Sequence, residues 1–446
     1  MSQPSGGFGP PPSKMPRTQS MGSASQRTRM FEPQASHASH HQHPQQSRPI
    51  HNFPPAPKPP SPIKFSEDQS RQFYKKIEYF KYPFCTDVSK KYTRVVLIGK
   101  GTFGEVHKAK VASSSSDAPE YVAMKRIIME KETEGFPITA LREIKILKSL
   151  NHRNIVQLKE VCRQAPSESN RYTINIYLIF EFCHHDLAGL LSSQSIQFTE
   201  PQIKGILSQL FDGLHYLHLC KILHRDMKSA NIFISQDGYL KIGDFGLARS
   251  FTMPRDDKPN RFTNRVVTMW YRPPELLLGE RNYTPAIDMW GAGCIMAELF
   301  TRTPILQGNS EAEQIDKILI LCGSIDIQTW PEVVNLELYK KFQLPHKYSR
   351  CLMVKLQKFM KTKESLDLLD KLLVLNPQKR LSAEAAAEHF YLKTPPYKEE
   401  NLLSLVKNRE SCFEGTLRRQ HLSEMSQRSH KPTGPPVPAG VFDRVY

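Results

Sequence analysis

The chain has 446 residues, and its 61 lysines and arginines against 44 acidic residues give a formal net charge of +17 at pH 7. Hydrophobic residues make up 39% of the chain and charged residues 24%, which is close to globular usage and excludes an acidic disordered chain, a collagen and a coiled-coil rod. No run of about 18 apolar residues occurs, and no apolar signal segment is present. We therefore expect an intracellular protein without membrane contact.

The N-terminal residues 1–80 are rich in Pro, Ser, Gln and His with almost no apolar periodicity, which predicts a disordered tail. A histidine cluster lies in this tail, at His37, His40, His41 and His43. Since no second cluster or carboxylate accompanies it, we interpret it as a solvated tract rather than a metal site. The 8 cysteines of the chain are scattered without a C-x-x-C pair, so we expect reduced thiols.

Three strands are predicted where β-branched and apolar runs begin, at residues 94–98, 106–111 and 121–128. Between the first two, Gly99, Gly101 and Gly104 match G-x-G-x-x-G, and glycines let the backbone approach phosphates closely. A Rossmann site needs a helix directly after the glycines, so the strand that follows favours a hairpin over a nucleotide. Lys125 on the third strand would give the phosphates a cation, although alone it could be an ordinary surface lysine.

A helix is predicted at residues 137–150, opening with a proline suited to a first turn. Glu143, Leu147 and Leu150 form one stripe of this helix, so Glu143 faces the core. A carboxylate among apolar neighbours needs a cation, and Lys125 is the natural partner. A second stripe, about a third of a turn away, consists of Ile138, Leu141 and Ile144. Packing inside a larger core and binding of a partner explain that stripe almost equally well.

Helices dominate the rest of the chain. Periodicity and caps predict them at residues 199–218, 287–300, 310–321, 366–375 and 383–389. A β-rich half therefore precedes a helix-rich half, which is typical of an α+β fold with two lobes. The sequence becomes polar again near residue 396, and we expect a flexible C-terminal tail over residues 397–446.

Two motifs in the second half carry chemistry. Asp226 and Asn231 belong to an H-R-D-x-x-x-x-N motif, and Asp244 opens an Asp-Phe-Gly motif after a hairpin predicted at residues 232–242. Asn231 and Asp244 offer hard oxygen ligands suited to Mg²⁺, and Asp226 can accept a hydroxyl proton, as phosphoryl transfer requires. Chance does not explain six elements in this order, which are the glycine loop, Lys125, Glu143, Asp226, Asn231 and Asp244.

Over residues 92–392 the chain resembles a eukaryotic protein kinase, with an N-lobe at residues 92–181 and a C-lobe at residues 184–392. Lys228, two residues after Asp226, resembles the lysine of the serine/threonine-specific kind. Within that superfamily, several segments are similar to cyclin-dependent kinases, at residues 137–143, 264–275 and 288–293, and outside the domain at 82–85 and 442–446. The resemblance implies a catalytic set of Asp226, Lys228, Lys125 and Glu143.

The resemblance also implies binding roles for individual residues. Phe180 would be the gatekeeper, Glu181, Phe182 and Cys183 the hinge that holds adenine, and Asp186 a polar contact near the ribose. The implied ATP site comprises Ile98, Gly99, Lys100, Gly101, Thr102, Phe103, Gly104, Glu105, Val106, Ala123, Lys125, Glu181, Cys183 and Asp186. Asn231 and Asp244 would hold Mg²⁺.

Regulation is implied in the same way. Thr263 lies at the activating phosphosite, and a phosphate there would need cations. The arginines that the family brings to it are Arg142, Arg225 and Arg249.

Two residues depart from the family pattern. Phe233 stands where leucine is usual under the adenine ring, and Phe103 replaces a tyrosine that cell-cycle members phosphorylate.

These implications predict a serine/threonine kinase that uses ATP and Mg²⁺ and acts on Ser/Thr-Pro sites. The resemblance further implies a nuclear role in transcription elongation, with the RNA polymerase II C-terminal domain and elongation factors as substrates. A regulatory cyclin, expected to be of the cyclin T type, would cover Ile138, Leu141 and Ile144. A pseudokinase scaffold would normally lack Lys125 or the catalytic aspartates, and all of these are present. A nucleic-acid-binding protein would need a groove-reading motif. Since the sequence offers none, we expect no sequence-specific nucleic-acid binding.

Overall fold

A computed structural model describes residues 86–101, 104–112, 119–128, 136–170, 175–252, 260–407, 409 and 411–413. Residues 1–80 with their histidine cluster, the segments at 82–85 and 442–446, and the glycine-loop residues Thr102 and Phe103 lie outside these ranges. In the described part of the chain, no helix is both long enough and apolar enough to cross a membrane. The cysteines described there are free thiols.

The N-lobe is a six-stranded sheet whose strands follow the order β1-β5-β6-β4-β3-β2. Its strands are β1 Thr86–Asp87, β2 Tyr92–Gly101, β3 Gly104–Val111, β4 Tyr121–Ile127, β5 Leu158–Gln164 and β6 Asn175–Glu181. The pair β1 and β5 is parallel, and the other pairs are antiparallel. The three predicted strands are confirmed as β2, β3 and β4. Strands β5 and β6 were not predicted; β5 is mostly half-buried and lacks clean alternation.

Two helices accompany the sheet, α1 Val88–Lys91 and α2 Ile138–Ser149. The helix predicted at residues 137–150 is confirmed as α2, with Pro137 and Leu150 in the flanking cap positions. Its buried residues are Ala140, Glu143, Ile146 and Leu147. On the opposite face, Ile138 and Leu141 are 70% and 52% exposed, so α2 packs on the protein through one side only.

The C-lobe is helical. Its helices are α3 Leu187–Ser192, α4 Glu200–Leu219, α5 Pro274–Leu277, α6 Ala286–Thr301, α7 Glu311–Cys322, α8 Leu352–Leu356, α9 Lys363–Leu372, α10 Ala383–Ala387, α11 Phe390–Lys393 and α12 Leu403–Val406. The five predicted helices correspond to α4, α6, α7, α9 and α10. Helix α9 begins and ends three residues before its predicted bounds, because the side chain of Thr362 accepts from the Ser365 N–H and caps the first turn.

Short strands on the C-lobe position the catalytic loops. A three-stranded sheet joins β7 Cys183–Asp186, β9 Ile232–Ser235 and β10 Leu240–Ile242, which confirms the hairpin predicted at residues 232–242. A second pair joins β8 Ile222–Leu223 to β11 Arg249–Ser250. The catalytic loop (residues 224–231) therefore runs from β8 to β9, and the Asp-Phe-Gly loop (residues 244–246) runs from β10 to β11.

The segment after residue 396 does not begin as the flexible tail expected from its polar composition. Helix α12 buries Leu405 and Val406, and the backbone N–H of Leu402 donates to the Gly238 carbonyl at 2.8 Å. Farther along, Phe413 is only 4% exposed. Residues 397–407 and 411–413 thus add to the C-lobe surface, and a one-turn helix such as α12 is too short for periodicity to reveal it.

Candidate active site

A cleft between the two lobes brings together six of the fourteen residues predicted to bind ATP. It is lined by Ile98, Val106, Ala123, Lys125, Glu143, Val156, Phe180, Glu181, Phe182, Cys183, Phe233, Asp244, Phe245 and Phe413. Strands β2, β3 and β4 form its roof, the connection from β6 to β7 its back, and β9 with the Asp-Phe-Gly loop its floor. The walls are mainly apolar, and three of the charged groups, Lys125, Glu143 and Asp244, meet one another, as is typical of nucleotide sites.

Lys125 projects from β4 into this cleft and meets two carboxylates. Its Nζ lies 2.8 Å from Glu143 Oε1 and 3.3 Å from Asp244 Oδ1. Burial by itself would lower the pKa of Lys125, but the charges of Glu143 and Asp244 outweigh it and hold that pKa above its usual range. The lysine therefore stays charged, and the ion pair predicted between Lys125 and Glu143 is present.

Asp226 is held in a fixed orientation by four donors. Its Oδ1 accepts from the Thr268 N–H at 3.1 Å and from the Thr268 hydroxyl at 2.8 Å. Its Oδ2 accepts from Asn231 Nδ2 at 3.0 Å and lies 2.9 Å from Lys228 Nζ. The carboxylate is thus oriented from both sides, and Lys228 places a positive charge beside it.

Asn231 and Asp244 offer oxygens for a divalent metal ion. Asn231 Oδ1 is buried without a hydrogen-bond partner, while its Nδ2 donates to Asp226. Burial would raise the pKa of Asp244, but Lys125, Lys228 and His224 lower it below its usual range, so this side chain is a carboxylate. No cluster of three or more His, Cys, Asp or Glu that could hold a metal occurs in the described ranges. Two protein oxygens fit Mg²⁺, which usually completes its shell with substrate phosphates and water.

The catalytic loop is hydrogen-bonded to Asp288 of α6, a residue whose role was not predicted from the sequence. The Asp288 carboxylate accepts from the backbone N–H groups of His224 and Arg225 at 3.0 and 2.9 Å. It also lies 3.1 Å from His218 Nε2. Arg225 has a left-handed backbone with φ of 68°, which is costly for a residue with a side chain. These hydrogen bonds keep the strained residue in place beside Asp226.

The predicted phosphate clamp is assembled around Phe262, the residue before Thr263. The guanidinium groups of Arg225 and Arg249 lie 6.0 and 5.6 Å from the Phe262 ring centre. Burial and the charges of Arg249 and Arg225 lower the pKa of the Arg142 guanidinium, so the three cations lie close enough to repel one another. Thr263 is exposed, and its carbonyl accepts from Tyr283, whose hydroxyl also accepts from Arg225.

The loop before α5 holds one valine in an unusual conformation. Val267 has a φ of 68°, which is unfavourable for a β-branched residue. The guanidinium of Arg272 donates to the Val267 carbonyl, from Nε at 3.2 Å and from Nη2 at 3.0 Å. Arg272 is itself anchored by Glu311 at 2.8 Å. The carbonyl oxygen of Val267 therefore accepts hydrogen bonds from the protein's own Arg272.

Some implied ATP-site residues do not line the cleft. Glu105 pairs with Lys100 at 3.2 Å and with Arg126 at 3.1 Å. Gly104 is required by its neighbours, since an added Cβ would lie 2.3 Å from the Arg126 carbonyl oxygen. Asp186 caps helix α3 by accepting from the Gly189 N–H. Together with Gly99 and Gly101, these residues stay predictions as nucleotide contacts.

One residue of the cleft, Phe413, belongs to the C-terminal segment that the sequence predicted to be a flexible tail. Phe413 lines the pocket, and the segment before it docks on the hinge strand β7. The Ser411 hydroxyl donates to the His184 carbonyl at 2.7 Å, and Cys412 Sγ lies 3.0 Å from His185 Nδ1. Nothing in the local sequence signals this contact, because it joins residues 227 positions apart.

Comparisons with known proteins agree with this site. The family model described as "Protein kinase domain" matches residues 92–392. Cyclin-dependent kinase 9 of Homo sapiens is 49% identical over 367 residues, which are 82% of this chain and 97% of that protein. The Danio rerio protein of the same name is 48% identical, with 84% and 100% covered. The crystal structure of the yeast RNA Pol II CTD kinase CTDK-1 complex contains a chain with 39% identity and a TM-score of 0.62, covering 70% of this chain and 95% of that one.

Proposed function

The chain belongs to the protein kinase family, among the cyclin-dependent serine/threonine kinases, and from this premise we propose its substrates, metal and partner. We propose that it transfers the γ-phosphoryl group of MgATP to Ser-Pro and Thr-Pro sites in the C-terminal domain of RNA polymerase II and in elongation factors, in the nucleus. The names of the relatives support this, since they include cyclin-dependent kinase 9 and a kinase of that domain.

The chemistry follows from the groups in the cleft. Lys125 would hold the α- and β-phosphates, and Glu143 keeps its ammonium group in position. Asp226, oriented by Thr268 and Asn231, would accept the proton of the substrate hydroxyl, while Lys228 beside it stabilises the charge that develops on the transferred group. When bound to Asn231 and Asp244, Mg²⁺ would neutralise the phosphates and orient them.

The observation that carries the substrate preference is the Val267 carbonyl. Because Arg272 occupies it, the carbonyl cannot accept the amide N–H of the residue that follows the phosphoacceptor. An ordinary residue there would bury an unsatisfied donor, whereas proline has no amide hydrogen. The proposal therefore expects proline immediately after the phosphorylated serine or threonine.

The test compares a Ser-Pro peptide with its Ser-Ala counterpart, using the phosphorylated, cyclin-bound kinase. We expect kcat/KM to differ by the cost of one unsatisfied amide, roughly 1 to 3 kcal/mol, or about 5- to 150-fold. The variant Arg272→Met frees the Val267 carbonyl and should shrink the preference, while Glu311→Gln removes only the outer ion pair and should keep it. Equal rates on the two peptides with the unmodified enzyme would refute the proposal.

The partner would be a cyclin, with the cyclin T type as the finer proposal. Ile138 and Leu141 present apolar side chains to solvent on the outer face of α2, the helix that carries Glu143. Covering that face would fix α2 and keep Glu143 against Lys125, so the binding energy of the cyclin would set the active population. Ile144 lies nearer the core, since it is partly buried against it.

A further inference from the structure

A second concave surface lies on the C-lobe, away from the nucleotide cleft. This docking groove has a volume of about 550 Å³ and runs between the end of α6, helix α7 and the segment around α8. Its apolar wall includes Ile305, Leu321, Val354 and Phe359. Val354 is 68% exposed and Phe359 is 41% exposed, although both are large apolar side chains. Exposed apolar groups that line a groove mark a binding surface more often than isolated ones do.

The rim of the docking groove is positively charged. Lys355 and Lys358 line it, and Lys361 and Lys363 follow on the same exposed segment. Within the described residues, none of these four lysines lies in a salt bridge, and Lys358 Nζ instead sits 4.8 Å from the Phe359 ring centre. Nearby lysines do pair where acids are available, as Lys371 does with Asp367 at 2.7 Å. The groove therefore combines uncompensated positive charge with an apolar wall.

The docking groove is connected to the substrate loop. Trp270 Nε1, in the loop that carries Val267, donates to the Gly308 carbonyl at 3.2 Å. Gly308 follows Ile305 of the groove wall by three residues. The anchor of Arg272, Glu311, opens helix α7, which carries Leu321 into the groove. The loop that carries Val267 and the docking groove are thus joined by the stretch from Ile305 to helix α7, which contributes to both.

We propose that the docking groove binds an acidic segment of a protein substrate, with a large apolar residue of that segment against Val354 and Phe359. The proposal rests on the proposed function, since the segment belongs to the protein that receives the phosphate. Charge complementarity selects an acidic occupant. The chain's own last residues, 414–446, do not suit it, because they hold five Lys and Arg against three acids. The apolar wall favours a peptide over a nucleic acid, whose backbone would use only the lysines.

The binding test uses the full chain and a fluorescent peptide of glutamates around one phenylalanine. We expect the double variant Lys355→Glu/Lys358→Glu to weaken binding by roughly tenfold or more, and Val354→Ser to weaken it by a smaller factor. Both sites are exposed, so neither variant should unfold the lobe. Lys379→Glu is the matched control, because Lys379 is exposed on the same lobe without a salt bridge among the described residues. It should leave the affinity unchanged.

The activity test uses a short Ser-Pro peptide and the same peptide with the acidic, phenylalanine-containing extension. The extension should lower KM in the unmodified enzyme and not in the double variant, while kcat on the short peptide stays equal in both. If the short peptide is not phosphorylated, the proposed function fails. If it is phosphorylated and the extension has no effect, the docking groove alone is refuted. The proposal would also be overturned if a single-stranded RNA bound the unmodified kinase as tightly as the acidic peptide does and lost this binding in the same double variant.

Discussion

Helices α2 and α6 both support the proposed catalytic site, but the protein holds them in different ways. Every residue from Ile287 to Leu299 of α6 is buried, and its Asp288 holds the backbone of the catalytic loop. Helix α2 buries only one face, and Ile138 and Leu141 stand in solvent. The C-lobe therefore positions Asp226 with its own core, whereas the position of Glu143 depends on a helix that is packed from one side. Under the proposed function, this contrast would let a partner on the outer face of α2 control the position of Glu143.

The largest effect is expected at Asp226, whose loop α6 holds in place, and at Asp244, which pairs with Lys125. Asp226→Asn removes the proton acceptor and Asp244→Asn removes a metal ligand, so phosphoryl transfer should fall by about 10²- to 10⁴-fold, as when a general base is lost. The melting temperature should stay near that of the unmodified protein, since asparagine has nearly the same volume as the aspartate that it replaces. Single-turnover rates with a Ser-Pro peptide measure the loss, and activity within a few-fold of the unmodified enzyme would contradict both roles.

A pair of alanine substitutions tests the packing contrast itself. Ile295 of α6 is fully buried, so Ile295→Ala should cost about 2 to 5 kcal/mol of unfolding free energy. Leu141 of α2 is exposed, and Leu141→Ala should change the stability of the lone kinase by less than about 0.5 kcal/mol. Urea titration of both variants measures this difference. Equal losses would mean that the outer face of α2 belongs to the core.

The same face gives the regulatory half of the contrast. Leu141→Asp places a charge where a cyclin would pack, so cyclin binding and activation should be lost together while the lone kinase still binds ATP. Ile144→Asp is a poorer test, because Ile144 packs partly against the core and the charge would also destabilise the fold. Isothermal titration with the cyclin and with ATP separates the two effects, and retained cyclin activation would refute this account.

Thr263→Ala should have a moderate effect on activity, because three arginines then have no phosphate to share. We expect roughly tenfold or greater loss relative to the phosphorylated enzyme, within the usual range of coupling between sites. Burial and the charges of Arg249 and Arg225 lower the pKa of Arg142, and a phosphate would relieve this repulsion. Mass spectrometry must confirm full phosphorylation of the reference sample. If both samples turn over peptide equally fast, the clamp does not regulate the enzyme.

The last prediction concerns the pH dependence of stability and follows from the complete burial of a carboxyl group on α6. Glu298 accepts from the Tyr271 hydroxyl at 2.6 Å and from the Ser229 hydroxyl at 3.1 Å, and burial raises its pKa from 4.5 to about 7 despite these hydrogen bonds. The folded state therefore binds a proton more tightly than the unfolded state, so stability should fall as pH rises from 4.5 to about 7 and level off above. Glu298→Gln should remove this slope. Urea titrations between pH 5 and about 8 measure the unfolding free energy at each pH. If Glu298 does not titrate there, the unfolding free energies of the unmodified protein and of Glu298→Gln will change with pH in parallel.

The groups that lie in short, ordered motifs could be predicted from the sequence. The glycine loop, Lys125, Glu143, Asp226 and Asp244 each belong to a local pattern whose spacing reflects a strand, a helix or a loop, so their order along the chain already indicated a kinase. The two-lobed α+β fold followed from the same periodicities, and it is confirmed. What periodicity could not show was β5 and β6, whose burial depends on strands far away in the sequence.

By itself, the sequence determined which chemical groups the protein possesses and roughly which helix or strand carries each of them. Only the tertiary structure decided which groups meet. The contacts of Asp288 with the catalytic loop, of Arg272 with the Val267 carbonyl and of Phe413 with the cleft join separate segments. Local propensity acts over a few residues, whereas these contacts arise when the whole core packs and buried polar groups must find partners. That is why the chemistry could be predicted from the motifs, while its supporting contacts and the docking groove on the C-lobe could not.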